Sequence, residues 1–407
     1  MKKYLLLSLC AVAFMSNVIA QQYAWVQRSD FAAGPRYASS YFTIGNSGYV
    51  CSGITHVSTT YFYHTDLWEY NPSTDVWTQK ANLPAAGRSG GSGFAINGKG
   101  YVTLGWSPAQ MNDLWEYDPA TNSWTQKTNF AGPARYTASQ FVIGNYAYVG
   151  TGYLPYMKDF WKYDVVTDSW TQIADVGAIA RQAARGFALN NYGYVVTGGQ
   201  QNTTYVKDLW RYDTTSNTWM EMSDFPGAVR SSPAVFTMNG KAFAGCGADG
   251  TTLYNDFYSY DPVNDTWTAE PSFPGQGRLE QFTFSFANRG FVGTGSDSYY
   301  PAGTDLSELW ELVDITGINE TASSNFSVTP TVSDGSVVFN FSKALSQNYI
   351  VSIFDASGKM IVRQSFLKND LSSSVSLHDS AKGIYIYTIT AANNTIKAGR
   401  FKVGSSN

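Results

Sequence analysis

The fold is decided by residues 113–124, which read Asp113-Leu114-Trp115-Glu116-Tyr117-Asp118-Pro119-Ala120-Thr121-Asn122-Ser123-Trp124. Near copies run from Asp66 to Trp77, Asp159 to Trp170, Asp208 to Trp219 and Asp256 to Trp267. A sixth starts as Glu308-Leu309-Trp310-Glu311-Leu312 and lacks the outer Trp, which Trp25 supplies from the other end of the chain. Eleven positions after each outer Trp stands an Arg: Arg36, Arg88, Arg135, Arg181, Arg230 or Arg278. A Phe follows six later (Phe42, Phe94, Phe141, Phe187, Phe236, Phe284), an aromatic seven beyond it, and a Gly four beyond that. Six copies hold one register, and self-similarity of this kind governs the whole reading.

Each copy reads as four short strands. The first holds the Phe. A tight turn such as Asn97-Gly98-Lys99 leads to the second. The third is Asp-Leu-Trp-x-Tyr, and Asp118-Pro119 supplies the preset φ of a type I turn before the fourth, which holds the outer Trp. Units of about 48 residues cannot bury both faces alone, so they stack on one another. Stacked radially they make a six-bladed β-propeller. Pairing the strand around Trp25 with the last copy would close the ring and remove two free strand edges.

The run from Tyr117-Asp118-Pro119 to Trp124 resembles the kelch repeat. The resemblance covers about residues 25–313 and implies the same propeller. Kelch blades usually end the second strand in two glycines, which only Gly198-Gly199 does here.

Aromatics make up 16% of the chain and charged residues 14%, with 37 Gly, a composition that favours strands and tight turns. The net charge of -4 and the scattered Lys and Arg exclude a nucleic-acid surface. Lys2 and Lys3, the apolar stretch Tyr4 to Phe14 and the small-residue site Val18-Ile19-Ala20 predict a signal peptide over 1–20. Leu9 is too bulky for lipoprotein processing at Cys10. No stretch is long enough to span a membrane. The mature chain keeps Cys51 and Cys246, in different repeats, read as two buried free thiols.

After Val313 the repeat stops. Residues 314–324 read as a polar linker, and 325–407 as a small antiparallel β-sandwich with runs at Val337–Phe341, Tyr349–Phe354, Ile384–Ile389 and Arg400–Val403. The whole chain is thus all-β. The segments Val351 to Lys359, Gly383 to Ile389 and Lys397 to Val403 resemble the C-terminal (type A) sorting domain of type IX secretion cargo in Bacteroidota. That family often has Asn-Pro near its start, where this chain has Thr329-Pro330. The resemblance implies dealings with the secretion machinery and an extracellular or outer-membrane address.

The loops between second and third strands vary: 54–65, 106–112, 153–158, 199–207, 248–255 and 296–307. Variable loops on a rigid scaffold are where recognition is built. They carry Tyr61, Phe62, Tyr63, Trp106, Tyr153, Tyr156, Tyr205, Tyr254, Tyr299 and Tyr300, rings that either pack between loops or stack on a ligand. The central mouth of this face is the expected site. The repeated Arg, and the Asp that opens each third strand, read as an internal pairing, because an asymmetric ligand needs no sixfold repetition. Arg185, four after Arg181, and Glu280, two after Arg278, break the repeat, and strand alternation would put each on the face of its repeated Arg. His56 and His64 share a loop without a third ligand, so no metal or cofactor is expected. No nucleophile elbow or phosphate-cradling loop is present.

Three functions fit. One is a surface binding module for a glycan or protein. Another is a sugar mutarotase or epimerase, of the sialic-acid type known among kelch propellers, with Glu280 beside Arg278 or Arg185 as acid/base set. The third is a structural surface protein without a small ligand.

Overall fold

The computed structural model describes residues 23–314 except 59 and 299–302, and residues 328–403 except 334, 356–359, 378–382 and 392–393. The expected signal peptide, nearly all of the expected linker, and Tyr299 and Tyr300 lie outside the described residues. Within them the chain is all strand and turn, with one short 3-10 turn at Gln201–Thr203. No described helix is long and apolar enough to cross a membrane.

The repeats form six four-stranded antiparallel sheets. Blade one runs outward as Ser40–Ile44, Ser47–Cys51, Leu67–Asn71 and Val76–Lys80, and blades two to five follow the same plan. In the sixth, Phe282–Phe286, Arg289–Gly293 and Leu309–Asp314 are completed by Tyr23–Arg28, with Trp25 opposite Leu312. Asp314 thus ends a strand instead of opening the linker. In blade four, strands Tyr192–Gly199 and Tyr205–Asp213 extend into the expected loop 199–207 and leave only residues 200–204 between them.

The repeated residues explain why the sheets form and stack. Phe42 and Tyr49 oppose each other across the first two strands, with rings stacked 5.3 Å apart. Phe94–Tyr101, Phe141–Tyr148, Phe187–Tyr194 and Phe236–Phe243 repeat this at 4.8–5.3 Å. Such cross-strand aromatic pairs are a main unit of sheet stability. Each Phe then meets the next blade. A Cβ added to Gly100 would lie 2.1 Å from the Phe42 ring, so only glycine admits that contact.

An outer latch repeats as well. Asn122 sits in a left-handed conformation, φ 50°. Its Oδ1 accepts the Tyr117 hydroxyl at 2.9 Å and the Ala81 N–H of blade one at 2.9 Å. Trp124 donates its indole N–H to the Ala81 carbonyl at 2.8 Å. Trp77, Trp170, Trp219 and Trp267 do likewise to Ser29, Thr128, Ala174 and Ser223. Trp25 continues the series with the Pro271 carbonyl, at 2.9 Å, and packs edge-on against Phe257 and Phe273.

Close to the axis, the residue two after each Arg is left-handed: Ala38, Gly90, Thr137, Ala183, Ser232 and Glu280, φ 50–60°. Their backbones form a chain of hydrogen bonds. Gly90 donates to Ala38, Thr137 to Gly90, Ala183 to Thr137 and Ser232 to Ala183, at 2.7–2.9 Å. Ala38 donates back to the Glu280 carbonyl at 2.8 Å, from the first blade to the sixth.

Glu311, 1% exposed, lies between Arg28 of the N-terminal strand and Arg289 of the neighbouring one. Burial alone would push its carboxyl up; Arg28 and Arg289 outweigh burial and hold it below its ordinary 4.5. The stabilisation is therefore complete above pH 4.5 and drains away as pH falls through the depressed native value. Glu311→Gln should cost about 3–5 kcal/mol near neutrality, the usual penalty for breaking a buried pair. It should also flatten the acid limb of a stability-versus-pH curve measured by urea unfolding. An acid limb unchanged by the substitution would remove Glu311 from the latch.

Residues 328–403 build a three-stranded and a four-stranded sheet whose inner faces share one core, including Val337, Phe339, Tyr349, Val351, Tyr387 and Phe401. Cys51 and Cys246 are free and buried, and burial pushes both thiols up to about 12.

Candidate functional site

The loop face is organised by the repeated arginines, and they are spent on the fold. All six are at most 2% exposed. Each Nη1 donates to a carbonyl sixteen residues on, those of Ser52, Leu104, Thr151, Thr197, Cys246 and Thr294, at 2.9–3.1 Å. Five grip a carboxylate with both terminal nitrogens: Asp66, Asp113, Asp159, Asp208 and Asp256, at 2.5–3.0 Å. Burial opposes ionisation of Asp66, Asp113 and Asp159, yet their arginines hold them below the usual carboxylate range. In blade six, Arg278 binds Glu308 at 2.6 Å.

Arg278 is thus fully buried and committed, and it does not join Glu280. The alternation argument fails because the chain is not a continuous strand there. Glu280 itself is left-handed at φ 56° and Ala183 at φ 50°, and each turns the chain between the repeated Arg and the first strand. What the fold joins instead is Glu280 of blade six with Arg185 of blade four. Arg185 Nη2 lies 3.5 Å from Glu280 Oε2, while Glu280 Oε1 accepts the Ser232 hydroxyl at 2.7 Å. The two side chains are 12% and 15% exposed. They line one axial cleft with Ala38, Gly90, Thr137 and Gln140. Its volume of about 10 Å³ is at the threshold for a single water.

The loops around this cleft are aromatic. The residue after each repeated Arg bridges to the loop beside it, as in Tyr37 to Ile54 and Tyr136 to Tyr153. Tyr136 meets Trp106 at 5.6 Å and Tyr153 at 5.5 Å, and Tyr153 meets Tyr156 at 4.7 Å. Beside this cluster, loop 54–65 of blade one forms a hairpin, Ile54–Val57 with Thr60–Tyr63. His56 meets Tyr37 at 6.3 Å and Tyr61 at 6.5 Å. His56 Nδ1 lies 3.0 Å from Asp305 Oδ1, and its backbone N–H donates to Oδ2 at 3.0 Å, tying the hairpin to blade six. Burial, then the Tyr153 and Glu280 charges, push the Tyr136 phenol up to about 12; burial, then Tyr61, Asp305 and Glu280, push Tyr37 up as well. Tyr63 interacts with both tyrosines in the same way. Tyr37 and Tyr136 were not among the sequence candidates. The signal was available: after the invariant Arg, the next residue changes from blade to blade, Tyr37, Ser89, Tyr136, Gln182, Ser231 and Leu279.

Two other candidates are drawn outward. Tyr254 lays its ring 4.2 Å from the Arg230 guanidinium and donates its hydroxyl to Asp249 at 2.6 Å. Tyr205 lies over Gly250, where an added Cβ would be 2.8 Å from its hydroxyl. His64 Nε2 sits 2.8 Å from Thr55 Oγ1, apart from the His56–Asp305 pair. Among the described residues no group of three or more His, Cys, Asp or Glu is placed to hold a metal ion.

Six repeated sheets, a buried arginine in each and variable aromatic loops define a β-propeller, followed by a sandwich. Residues 128–289 match the KLHDC2/KLHL20/DRC7 Kelch-repeats domain, and residues 329–400 match the Secretion system C-terminal sorting domain. The chain thus carries kelch repeats and a type IX sorting domain, which exports it to the extracellular or outer-membrane surface. The solved structure of YjhT is similar at 15% identity and a TM-score of 0.57, over 69% of this chain and 96% of that one. At that identity the likeness concerns the fold. No curated protein sequence matches the chain.

Proposed function

We propose that this is a surface-displayed binding module that takes a glycan in the aromatic mouth of its propeller. The mature chain begins at Gln21, residues 21–313 form a six-bladed ring latched by the N-terminal strand, and 325–407 address it for export. Tyr61, Tyr63, Trp106, Tyr153, Tyr156 and Arg185 contribute to the site, joined by Tyr37 and Tyr136. Tyr205 and Tyr254 stand at its rim. The observation that carries this reading is the cluster of Tyr136, Trp106, Tyr153 and Tyr156, whose Tyr136 feels the charge of Glu280 in the polar pair with Arg185. Rings offer rigid, amphipathic area at low entropic cost, and sugar C–H faces stack on them.

The test is a glycan array probed with the full mature chain. Binding should fall at least about tenfold, or 1.4 kcal/mol, in Trp106→Ala and Tyr153→Ala while the melting temperature holds. Retained binding in both variants would place the ligand elsewhere, and silence across the array would favour a protein partner or a structural role.

Glu280 supports a second reading. A carboxylate beside a guanidinium and a hydroxyl at a narrow cleft is a workable acid/base set for a sugar mutarotase or epimerase. Exchange of anomers followed by NMR, and its loss in Glu280→Gln, would favour the enzyme over the module.

A further inference from the structure

The charge arrangement at the floor of the mouth bears on which sugars would enter. Arg185 differs from the six repeated arginines in being unspent. Among the described residues its one polar contact is the long 3.5 Å approach to Glu280, and its Nε is buried without a partner. A guanidinium has five donors, so most of this one's capacity is open. Glu280 is the converse. One oxygen is occupied by Ser232, and the other faces Arg185 with lone pairs to spare. It holds this place in a left-handed backbone conformation that is uncommon for a residue with a side chain, where the equivalent positions carry Ala38, Gly90, Thr137, Ala183 and Ser232.

The pair is electrically neutral as a unit but rich in unused donors and acceptors. A hydroxyl suits both halves, donating to Glu280 and accepting from Arg185. A carboxylate suits only Arg185, and to reach it must come to rest beside Glu280. The walls point the same way. Burial is the main cause that pushes the Tyr37 and Tyr136 phenols up, and the Glu280 carboxylate adds to it at both. Both phenols therefore stay protonated and present neutral hydroxyls to a ligand.

Building on the binding-module reading, we propose that the mouth selects uncharged sugar residues and turns away those bearing a carboxylate, with Glu280 as the discriminating residue and Arg185 as its hydroxyl-donating partner. The full mature chain is titrated with matched oligosaccharides ending in glucose or galactose and in the corresponding uronic acids. The uncharged partner of each pair should bind at least about tenfold tighter. Glu280→Gln should erase that preference mainly by improving the acidic ligands. Arg185→Ser, which installs the residue found at Ser40, Ser92 and Ser139, should weaken uncharged ligands and keep the rejection of acidic ones. Because Ser is accommodated at the equivalent place in three blades, that variant keeps the test open should Glu280→Gln fail to fold. A wild-type preference for uronic acids, or a ratio unmoved by Glu280→Gln in a folded protein, would overturn the selectivity while leaving the binding module intact. Binding of neither sugar class would overturn the glycan reading and the selectivity together.

Discussion

A mature chain lacking residues 22–30 should not form a stable propeller. Its melting midpoint should fall on the order of 10–20 °C or the protein should not be recovered folded. The deleted strand pairs along its whole length with Leu309–Asp314 and brings Tyr23 and Trp25, 0% and 2% exposed, into the core of blades five and six. Burying two such rings is worth about 3–6 kcal/mol together. A domain's whole stability is about 5–15 kcal/mol, so the loss is of the same order. The deletion also strips Arg28 from Glu311, leaving a buried carboxylate with Arg289 alone. Trp25→Ala isolates the packing contribution and should itself cost about 3–5 kcal/mol. A deletion variant that melts with the full chain would show that blade six is complete without its fourth strand.

This prediction was legible in the sequence, because the missing Trp of the sixth copy and the surplus Trp25 are one observation. The register from Trp to Arg to Phe to Gly survives intact because each residue is fixed by its neighbours on both sides. Phe42 stacks on Tyr49 and presses on Gly100, so a shift of one residue would break two sheets. The site was less legible. Arg185 and Glu280 stood out as irregular, and of the two partners weighed for Glu280 the fold brings Arg185 beside it, whereas period-2 alternation had set Glu280 with Arg278 and Arg185 with Arg181. Alternation presumes extended backbone, and the left-handed residue two after every Arg violates it in all six blades. Tyr37 and Tyr136 were passed over for a related reason. They flank an invariant residue and look like scaffold, yet the bridges to Ile54 and Tyr153 turn them into the mouth.

Arg135→Met should be the most damaging single substitution on the loop face away from the mouth, lowering stability by about 3–5 kcal/mol. The change keeps side-chain volume but removes four hydrogen bonds, to both oxygens of Asp159 and to the carbonyls of Thr151 and Pro133. Asp159 keeps the Trp161 indole, at 2.8 Å, and its own backbone N–H. Arg135→Lys should fall between, since an ammonium preserves the charge but cannot bridge both oxygens. Burial tends to raise the Asp159 carboxyl and Arg135 holds it below its ordinary 3.8, so the pair's contribution is complete above that pH and is lost as pH falls through the depressed value. In Arg135→Met that portion of the acid limb should vanish. Joining Arg135→Met to Asp159→Leu should recover part of the loss, because removing both charges leaves none stranded. Urea unfolding of the three variants across pH 2–7 checks all of this. If Arg135→Met unfolds with the wild type, the arginine is not needed to hold its blade. Its sixfold repetition would then need another cause, and ligand binding by the repeated arginines would return as the rival explanation.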